Sequence, residues 1–117
     1  MFPKPLPALT PNTADFERLP LVKPTGFREY DARWLFPDEV NLMGIQALGL
    51  GLGTLLHKMG VEPKIVVAHD YRAYSASVKQ ALINGFLTVP DDRFTLLYRQ
   101  VSPGCKQSVE CHEQSLI

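Results

Sequence analysis

The residues best suited to binding phosphate lie in one nine-residue stretch, Gly26-Phe27-Arg28-Glu29-Tyr30-Asp31-Ala32-Arg33-Trp34. An arginine presents several donors in a fixed fork, and a tyrosine hydroxyl donates one more hydrogen bond, so both groups suit a phosphate. Aromatic and charged residues alternate here, which predicts a short strand or hairpin with one packed face and one wet face. On chemistry alone, a surface hairpin whose charges pair with each other explains the stretch better.

A second polar cluster, His69-Asp70-Tyr71-Arg72, follows the apolar run Lys64-Ile65-Val66-Val67-Ala68. The run predicts a buried parallel strand. Ligands of open α/β sheets bind beyond the carboxyl ends of the strands, so the cluster lies where functional groups collect. Two interpretations stay open: Asp70 and Arg72 contact a ligand, or they pair and brace the loop after the strand.

Two helices should position these clusters. The first is predicted over Val40 to Met59, with Pro37-Asp38-Glu39 in its first turn and Gly60 just past its end. Its apolar stripe recurs every three or four residues: Ile45, Leu48, Leu52, Leu55, Leu56 and Met59. The second helix has Ser75 as its expected N-cap. Its apolar face comprises Val78, Ala81, Leu82, Gly85 and Phe86.

Four glycines fall inside the first helix, at positions 44, 49, 51 and 53. A nucleotide-binding loop needs a strand before its glycines and a helix that opens at them, and neither is predicted here. Each glycine costs a helix about 1 kcal/mol relative to alanine. We therefore predict that the glycines allow close packing of this helix on a sheet. Neither Ser75 nor Ser77 has a neighbouring base that would make it a nucleophile.

The overall composition excludes several function classes. A length of 117 residues allows one domain at most. Twelve basic and twelve acidic side chains balance, which leaves no electrostatic footprint for nucleic acid or an anionic membrane. No segment approaches the roughly 18 apolar residues of a membrane span, and no secretory leader is recognisable, so we expect a cytoplasmic protein. Cys105, Cys111 and His112 are either a partial metal site or free groups, and the missing fourth ligand favours free thiols.

Three segments are predicted along the chain. Residues 1–24 are rich in proline and should form an extended arm whose second half lies along the core. Residues 25–87 carry the helices and the strand, which is the beginning of a layered α/β domain. Residues 88–117 should contain one strand, Phe94 to Tyr98, followed by disorder from Gln100 onward.

The first cluster, Phe27-Arg28-Glu29-Tyr30-Asp31-Ala32-Arg33, resembles the FREYDIR signature of bacterial phosphomannomutase/phosphoglucomutase enzymes of the α-D-phosphohexomutase superfamily. After the glycine-bearing helix comes the run Ile65 to Arg72, which resembles the family's VVVGxDxR strand and loop. Residues 75–87 are similar to the helix that follows it. The likeness covers about residues 16–87, and it implies a truncated part of the first domain of four, a three-layer αβα domain with a mixed sheet.

In that family, a phosphoserine exchanges phosphoryl groups with a hexose phosphate through a bisphosphate intermediate. The resemblance implies that Tyr30 and Arg33 line the cleft beside the phosphoserine. It also implies that His69, Asp70 and Arg72 support the loop that carries the serine. The sequence departs from the family pattern at three positions: Ala32 in place of Ile, Trp34 in place of Gly, and Ala68 in place of Gly.

Nothing from Thr88 to Ile117 resembles the family's serine loop, and the Asp-rich loop that holds Mg²⁺ is absent from the 117 residues. Mg²⁺ and a hexose phosphate are therefore implied for the full-length family, whereas no cofactor and no turnover are expected of this chain alone. The abrupt loss of likeness is typical of a frameshift or a truncation. Two alternatives remain: a non-catalytic module that binds phosphate or an unidentified protein partner, and a frameshift product without function.

Overall fold

The computed structural model describes residues 2–62, 64–89, 95–100 and 112–115, the last two ranges by their backbone. The helices are α1 (Ala14–Arg18), α2 (Leu42–Met59) and α3 (Ser75–Leu87), and a single 3₁₀ turn spans Pro24–Gly26. The strands are β1 (Lys64–His69), β2 (Thr95–Gln100) and β3 (His112–Ser115). Among these helices, none combines the length and the apolar character needed to cross a bilayer.

The three strands form one mixed sheet in the order β1-β2-β3. β1 pairs in parallel with β2, with Lys64 opposite Thr95 and His69 opposite Gln100, and β2 pairs antiparallel with β3. The α/β class, the mixed sheet and the parallel strand β1 are thereby confirmed. The sequence placed a strand at Phe94 to Tyr98, close to β2, but it did not predict β3. Of residues 100–117, which were predicted to be disordered, those other than Gln100 and β3 lie outside the described residues.

α2 begins five residues later than Pro37, so the prediction that Pro37 to Glu39 form its first turn is wrong. Residues 36–39 instead form a separate turn. Asn41 caps the helix, because its side-chain oxygen accepts a hydrogen bond from the Gly44 backbone N–H at 2.7 Å. The predicted end is confirmed, since Gly60 follows Met59 with a left-handed backbone, φ 66°.

Asn41 also ties the N-terminal segment to α2. Its side chain is buried, accepts a bond from the Leu21 N–H at 2.9 Å, and donates to the carbonyls of Phe16 and Leu19, both at 2.8 Å. Leu21 is only 1% exposed. The segment therefore lies along the core as predicted. It is not extended throughout, because α1 forms within it, with Thr13 as its N-cap.

Gly44 and Gly49 of α2 allow close packing on a backbone segment and on a helix, and not on the sheet as predicted. A Cβ built on Gly49 would overlap the carbonyl oxygen of Leu82 in α3, and one built on Gly85 would overlap that of Gln46 in α2. The two helices thus cross with their backbones in contact at Gly49 and Gly85. Gly44 similarly touches the Leu21 carbonyl.

The core has two parts. One is a cluster of buried residues between the N-terminal segment and the two long helices: Val22, Val40, Ile45 and Ala81. The other joins β1 to α3 through Val67, Ile83 and Phe86. Only one face of β1 is buried, because Val66 is 68% exposed, so the prediction of a fully buried strand is wrong.

Candidate functional site

The first polar cluster forms a hairpin, as predicted. Phe27 and Ala32 form an antiparallel bridge. The Arg28 N–H donates to the Asp31 carbonyl, and the Arg33 N–H donates to the Gly26 carbonyl, both at 2.9 Å. Residues 29 and 30 form the bend at the tip. A hairpin this short buries little surface of its own, so its position depends on what holds its base.

Trp34 anchors the base of the hairpin. Its indole N–H donates to the Lys23 carbonyl at 2.7 Å, and its ring meets the Phe27 ring edge-on at a centroid distance of 5.0 Å. A Cβ built on Gly26 would overlap the same indole ring. Trp34 also packs against the core cluster of Val22 and its neighbours. The tryptophan thus fixes the hairpin to the domain, a role that the sequence pattern did not predict.

Glu39 closes the loop behind the hairpin. Its carboxylate accepts a hydrogen bond from the Leu35 N–H at 3.0 Å and pairs with the Lys23 ammonium at 3.1 Å. The backbone N–H of Leu35 first, and the Lys23 side chain next, lower the pKa of Glu39. The negative carboxylate therefore stabilises the turn at residues 36–39. The sequence pattern had placed Glu39 in the first turn of α2 instead.

The two residues implied to line the cleft are both on the surface. Tyr30 stands at the tip and is 92% exposed. The Arg33 side chain is 71% exposed, and its Nε donates to the Asp31 carboxylate at 2.7 Å. Among the described residues, its two terminal nitrogens make no hydrogen bond. Asp31 therefore orients the guanidinium and leaves it two donors for an anion.

The second polar cluster braces the loop between β1 and α3. The Asp70 carboxylate accepts hydrogen bonds from the Ser75 hydroxyl and from the Arg72 N–H, the latter at 3.2 Å, and it pairs with the Arg72 guanidinium at 3.1 Å. Arg72 also donates to the Tyr74 hydroxyl at 3.0 Å. Of the two interpretations that the sequence left open, the structure supports the brace. His69 lies beside it, with Nδ1 2.7 Å from the Asp70 carbonyl oxygen.

Ser75 is not the N-cap that the sequence predicted. Tyr74 occupies that position, and Ser75 is the first helical residue, buried, with its hydroxyl directed to Asp70. This bond first, and the groups of Arg72 next, lower the pKa of Asp70. Asp70, five residues before Ser75, thus accepts the hydroxyl hydrogen bond, and two contacts with Arg72 hold its carboxylate in place.

One aromatic contact links the loop after the hairpin to the second polar cluster. The Phe36 ring, just after the hairpin, stacks at a tilt on the Tyr74 ring of the second loop, with centroids 5.1 Å apart. Among the described residues, no hydrogen bond or ion pair joins Tyr30 or Arg33 to Asp70 or Arg72. The hairpin thus presents the Arg33 guanidinium and the Tyr30 hydroxyl to solvent, while the second loop is held by its own contacts to Ser75 and Tyr74.

The described residues contain no group of three or more His, Cys, Asp or Glu side chains placed to hold a metal ion. Cys105, Cys111 and the side chain of His112 lie outside the described residues. A cavity of about 330 Å³ lies between α1 and the start of α2, lined in part by Phe16, Phe36 and Met43. None of the predicted site residues lines it.

Residues 24–92 match the family described as phosphoglucomutase/phosphomannomutase, alpha/beta/alpha domain I. The chain belongs to this family. The matched residues make up more than half of the chain, and they include both polar clusters, α2, β1 and α3. Neither a curated protein nor a solved structure matches the chain significantly.

Proposed function

We propose that residues 24–92 form part of one wall of the active-site cleft of a phosphohexomutase. Such an enzyme moves a phosphoryl group between the 1- and 6-positions of a hexose phosphate through a phosphoserine and a bisphosphate, in carbohydrate metabolism in the cytoplasm. The match of residues 24–92 to domain I of the family carries this proposal. The chain contributes binding groups, and other polypeptide segments must contribute the phosphoserine and the sugar-reading loops.

In this proposal, Arg33 is the residue that contacts phosphate. Its exposed guanidinium has two terminal nitrogens that make no hydrogen bond among the described residues, and they can form a bidentate contact with phosphoryl oxygens. Phosphoryl transfer is accelerated mainly by positioning and by stabilisation of the charge on the equatorial oxygens. Tyr30, at the exposed tip, supplies one hydroxyl donor to the same surface.

The described residues do not fit a magnesium site, because no cluster of ligand side chains is present among them. We therefore assign no step to Mg²⁺ in this chain. Ser75 is also unsuited to carry the phosphoryl group, because it is buried and its hydroxyl is held by Asp70. Supporting the loop through Asp70 and Arg72 is the role we propose for the second cluster.

A turnover assay tests the proposal that the phosphoryl carrier is not part of this chain. The 117-residue chain is incubated with mannose 1-phosphate or glucose 1-phosphate and a hexose bisphosphate activator, and the products are followed by ³¹P NMR. We expect no interconversion, because the chain has no serine in a Ser-His-Asn sequence. Turnover above that of a protein-free blank would contradict the proposal that the phosphoryl carrier lies elsewhere.

A binding series tests the role of Arg33. We expect weak binding of mannose 1-phosphate that is lost in Arg33→Ala and reduced in Arg33→Lys, because an ammonium cannot make the bidentate contact. Asp31→Asn should bind about two- to fivefold tighter, because exposed charge pairs of this kind are worth roughly 0.2–1 kcal/mol and the negative charge beside the guanidinium no longer repels the phosphate. Arg18→Ala, an exposed arginine outside the matched residues, is the control and should bind like the unmodified chain. Equal binding by Arg33→Ala and the control would exclude Arg33 as the phosphate ligand.

A further inference from the structure

Gly26 is required by the space around it and not by its backbone conformation. Among the described glycines only Gly60 has a left-handed backbone, so the conformation at position 26 does not demand a glycine. A Cβ built on Gly26 would nevertheless overlap three atoms of the Trp34 indole, Nε1, Cε2 and Cδ1. The indole therefore occupies the volume that any other side chain at position 26 would need.

The indole is held in that place by contacts on several sides. Its N–H donates to the Lys23 carbonyl at 2.7 Å, its ring meets Phe27 edge-on at 5.0 Å between centroids, and it packs against the core cluster around Val22. Lys23 is itself fixed, because its N–H donates to the Glu39 carbonyl at 2.9 Å and its ammonium pairs with the Glu39 carboxylate at 3.1 Å. Moving the indole away from Gly26 would thus break the hydrogen bond to Lys23 and the contact with the core.

The backbone of Arg33 lies directly beside this contact. Its N–H donates to the Gly26 carbonyl at 2.9 Å, and Trp34 is the next residue. The second backbone hydrogen bond of the hairpin, from the Arg28 N–H to the Asp31 carbonyl, lies nearer the tip. Because a two-stranded hairpin is marginally stable by itself, the contact between Gly26 and Trp34 decides where the Arg33 backbone stands relative to the domain.

We propose that Trp34 is a positioning residue for the phosphate contact of Arg33, and that Gly26 is the residue that admits it. This inference rests on the proposed function, in which Arg33 binds the phosphoryl group of a hexose phosphate. The indole N–H is already bonded to Lys23, so Trp34 acts only through Arg33. By holding the Arg33 backbone in one place before the ligand arrives, the contact reduces the conformational freedom that is lost on binding.

Amide hydrogen exchange and the binding of mannose 1-phosphate, both followed by NMR on the full 117-residue chain, test the proposal. Gly26→Ala introduces the overlap and leaves every donor of Arg33 in place. It should speed exchange of the Arg33 amide about tenfold and weaken binding about as much, because the added methyl group displaces the indole. Gly51→Ala is the matched control, since a Cβ at Gly51 meets nothing within 4 Å, and it should change neither.

Two further comparisons separate positioning from a general loss of stability. In a Trp34→Ala background the methyl group has no indole to overlap, so adding Gly26→Ala should change the Arg33 exchange rate and the affinity by less than about twofold. Gly49→Ala crowds the crossing of α2 and α3 instead. It should leave the exchange of Arg33 and the affinity unchanged, although it destabilises the domain. A far-UV circular dichroism melt checks that each variant folds.

The emission of Trp34, the single tryptophan, should shift to the red in Gly26→Ala as the indole moves into water. An unchanged emission, equal effects of Gly26→Ala and Gly49→Ala, or an undiminished effect of Gly26→Ala without the indole would each overturn the proposal. Binding that persists in Arg33→Ala would contradict the proposed function instead. Exchange of the Arg33 amide decides whether Trp34 positions this residue, with or without the sugar phosphate.

Discussion

Alanine substitutions at two neighbouring glycines of α2 should change stability in opposite directions. Gly49 and Gly51 are two residues apart in the same helix, and both have ordinary helical neighbours. Gly51 faces open space, so Gly51→Ala gains only helix propensity and should raise the free energy of unfolding by about 1 kcal/mol. A change of this size corresponds to a rise in melting temperature of about 4 °C for a domain of this length.

Gly49→Ala receives the same gain in propensity but adds a methyl group where α2 and α3 touch. The new Cβ would overlap the Leu82 carbonyl oxygen and approach Gly85, and both are backbone groups that cannot rotate away. Overpacking of this kind costs roughly 1–3 kcal/mol, and two backbone contacts point to the upper end. We therefore expect a net loss of about 1–2 kcal/mol, so the two variants should differ by about 2–3 kcal/mol.

Urea unfolding followed by far-UV circular dichroism and by the fluorescence of the single tryptophan, Trp34, provides the measurement. It is made at low micromolar concentration. Unfolding midpoints that shift in the same direction for Gly49→Ala and Gly51→Ala would refute the helix crossing described above. The crossing would also be wrong if Gly49→Ala were as stable as the unmodified chain.

Two further predictions concern buried polar contacts. Asn41→Ala should lower the free energy of unfolding by about 2–4 kcal/mol, because it removes the cap of α2 and leaves the Leu21 N–H without its partner; a loss below 1 kcal/mol in the same urea assay would show that water replaces the side chain. Ser75→Ala should raise the pKa of Asp70 toward its usual value in an NMR titration of the carboxyl carbon, since the Ser75 hydroxyl is the main cause of the lowered pKa. Because the folded-state pKa of Asp70 is the lower one, its stabilising contribution is present above its unfolded-state pKa and is lost as the pH falls through the folded-state pKa. The acid limb of the melting-temperature profile should therefore be shallower in Ser75→Ala, and an unchanged limb would contradict the role of this bond.

Local patterns predicted the elements that depend on neighbours in sequence. The alternation of Phe27 to Trp34 indicated a hairpin, the branched residues of β1 indicated a parallel strand, and Gly60 marked the end of α2. Each of these signals is set by residues within a few positions of one another. At Asp70 and Arg72 the sequence left two interpretations open, and the observed ion pair between them fits the brace.

Contacts between distant segments decided what the sequence could not. Pro37 and the acidic residues after it had the composition of a first helical turn. Asn41 is the N-cap instead, because its side chain also accepts a hydrogen bond from Leu21, 20 residues earlier in the chain. The glycines of α2 correctly indicated close packing, but no residue near them in sequence identified Gly85 of α3 as the contact of Gly49. Likewise, periodicity identified an apolar stripe along α2, but it does not report which surface covers each part of it.

Backbone NMR mapping of hexose phosphate binding tests the central proposal most directly. Amide shifts of the ¹⁵N-labelled chain are followed during titration with mannose 1-phosphate, with inorganic phosphate and neutral mannose as the comparison ligands. If Arg33 and Tyr30 belong to a phosphate-binding cleft wall, the sugar phosphate should shift the amides of residues 27–33, and Arg33→Ala should abolish those shifts while mannose causes none. Shifts that avoid the hairpin, or that persist in Arg33→Ala, would contradict the assignment of this surface to a phosphohexomutase active site.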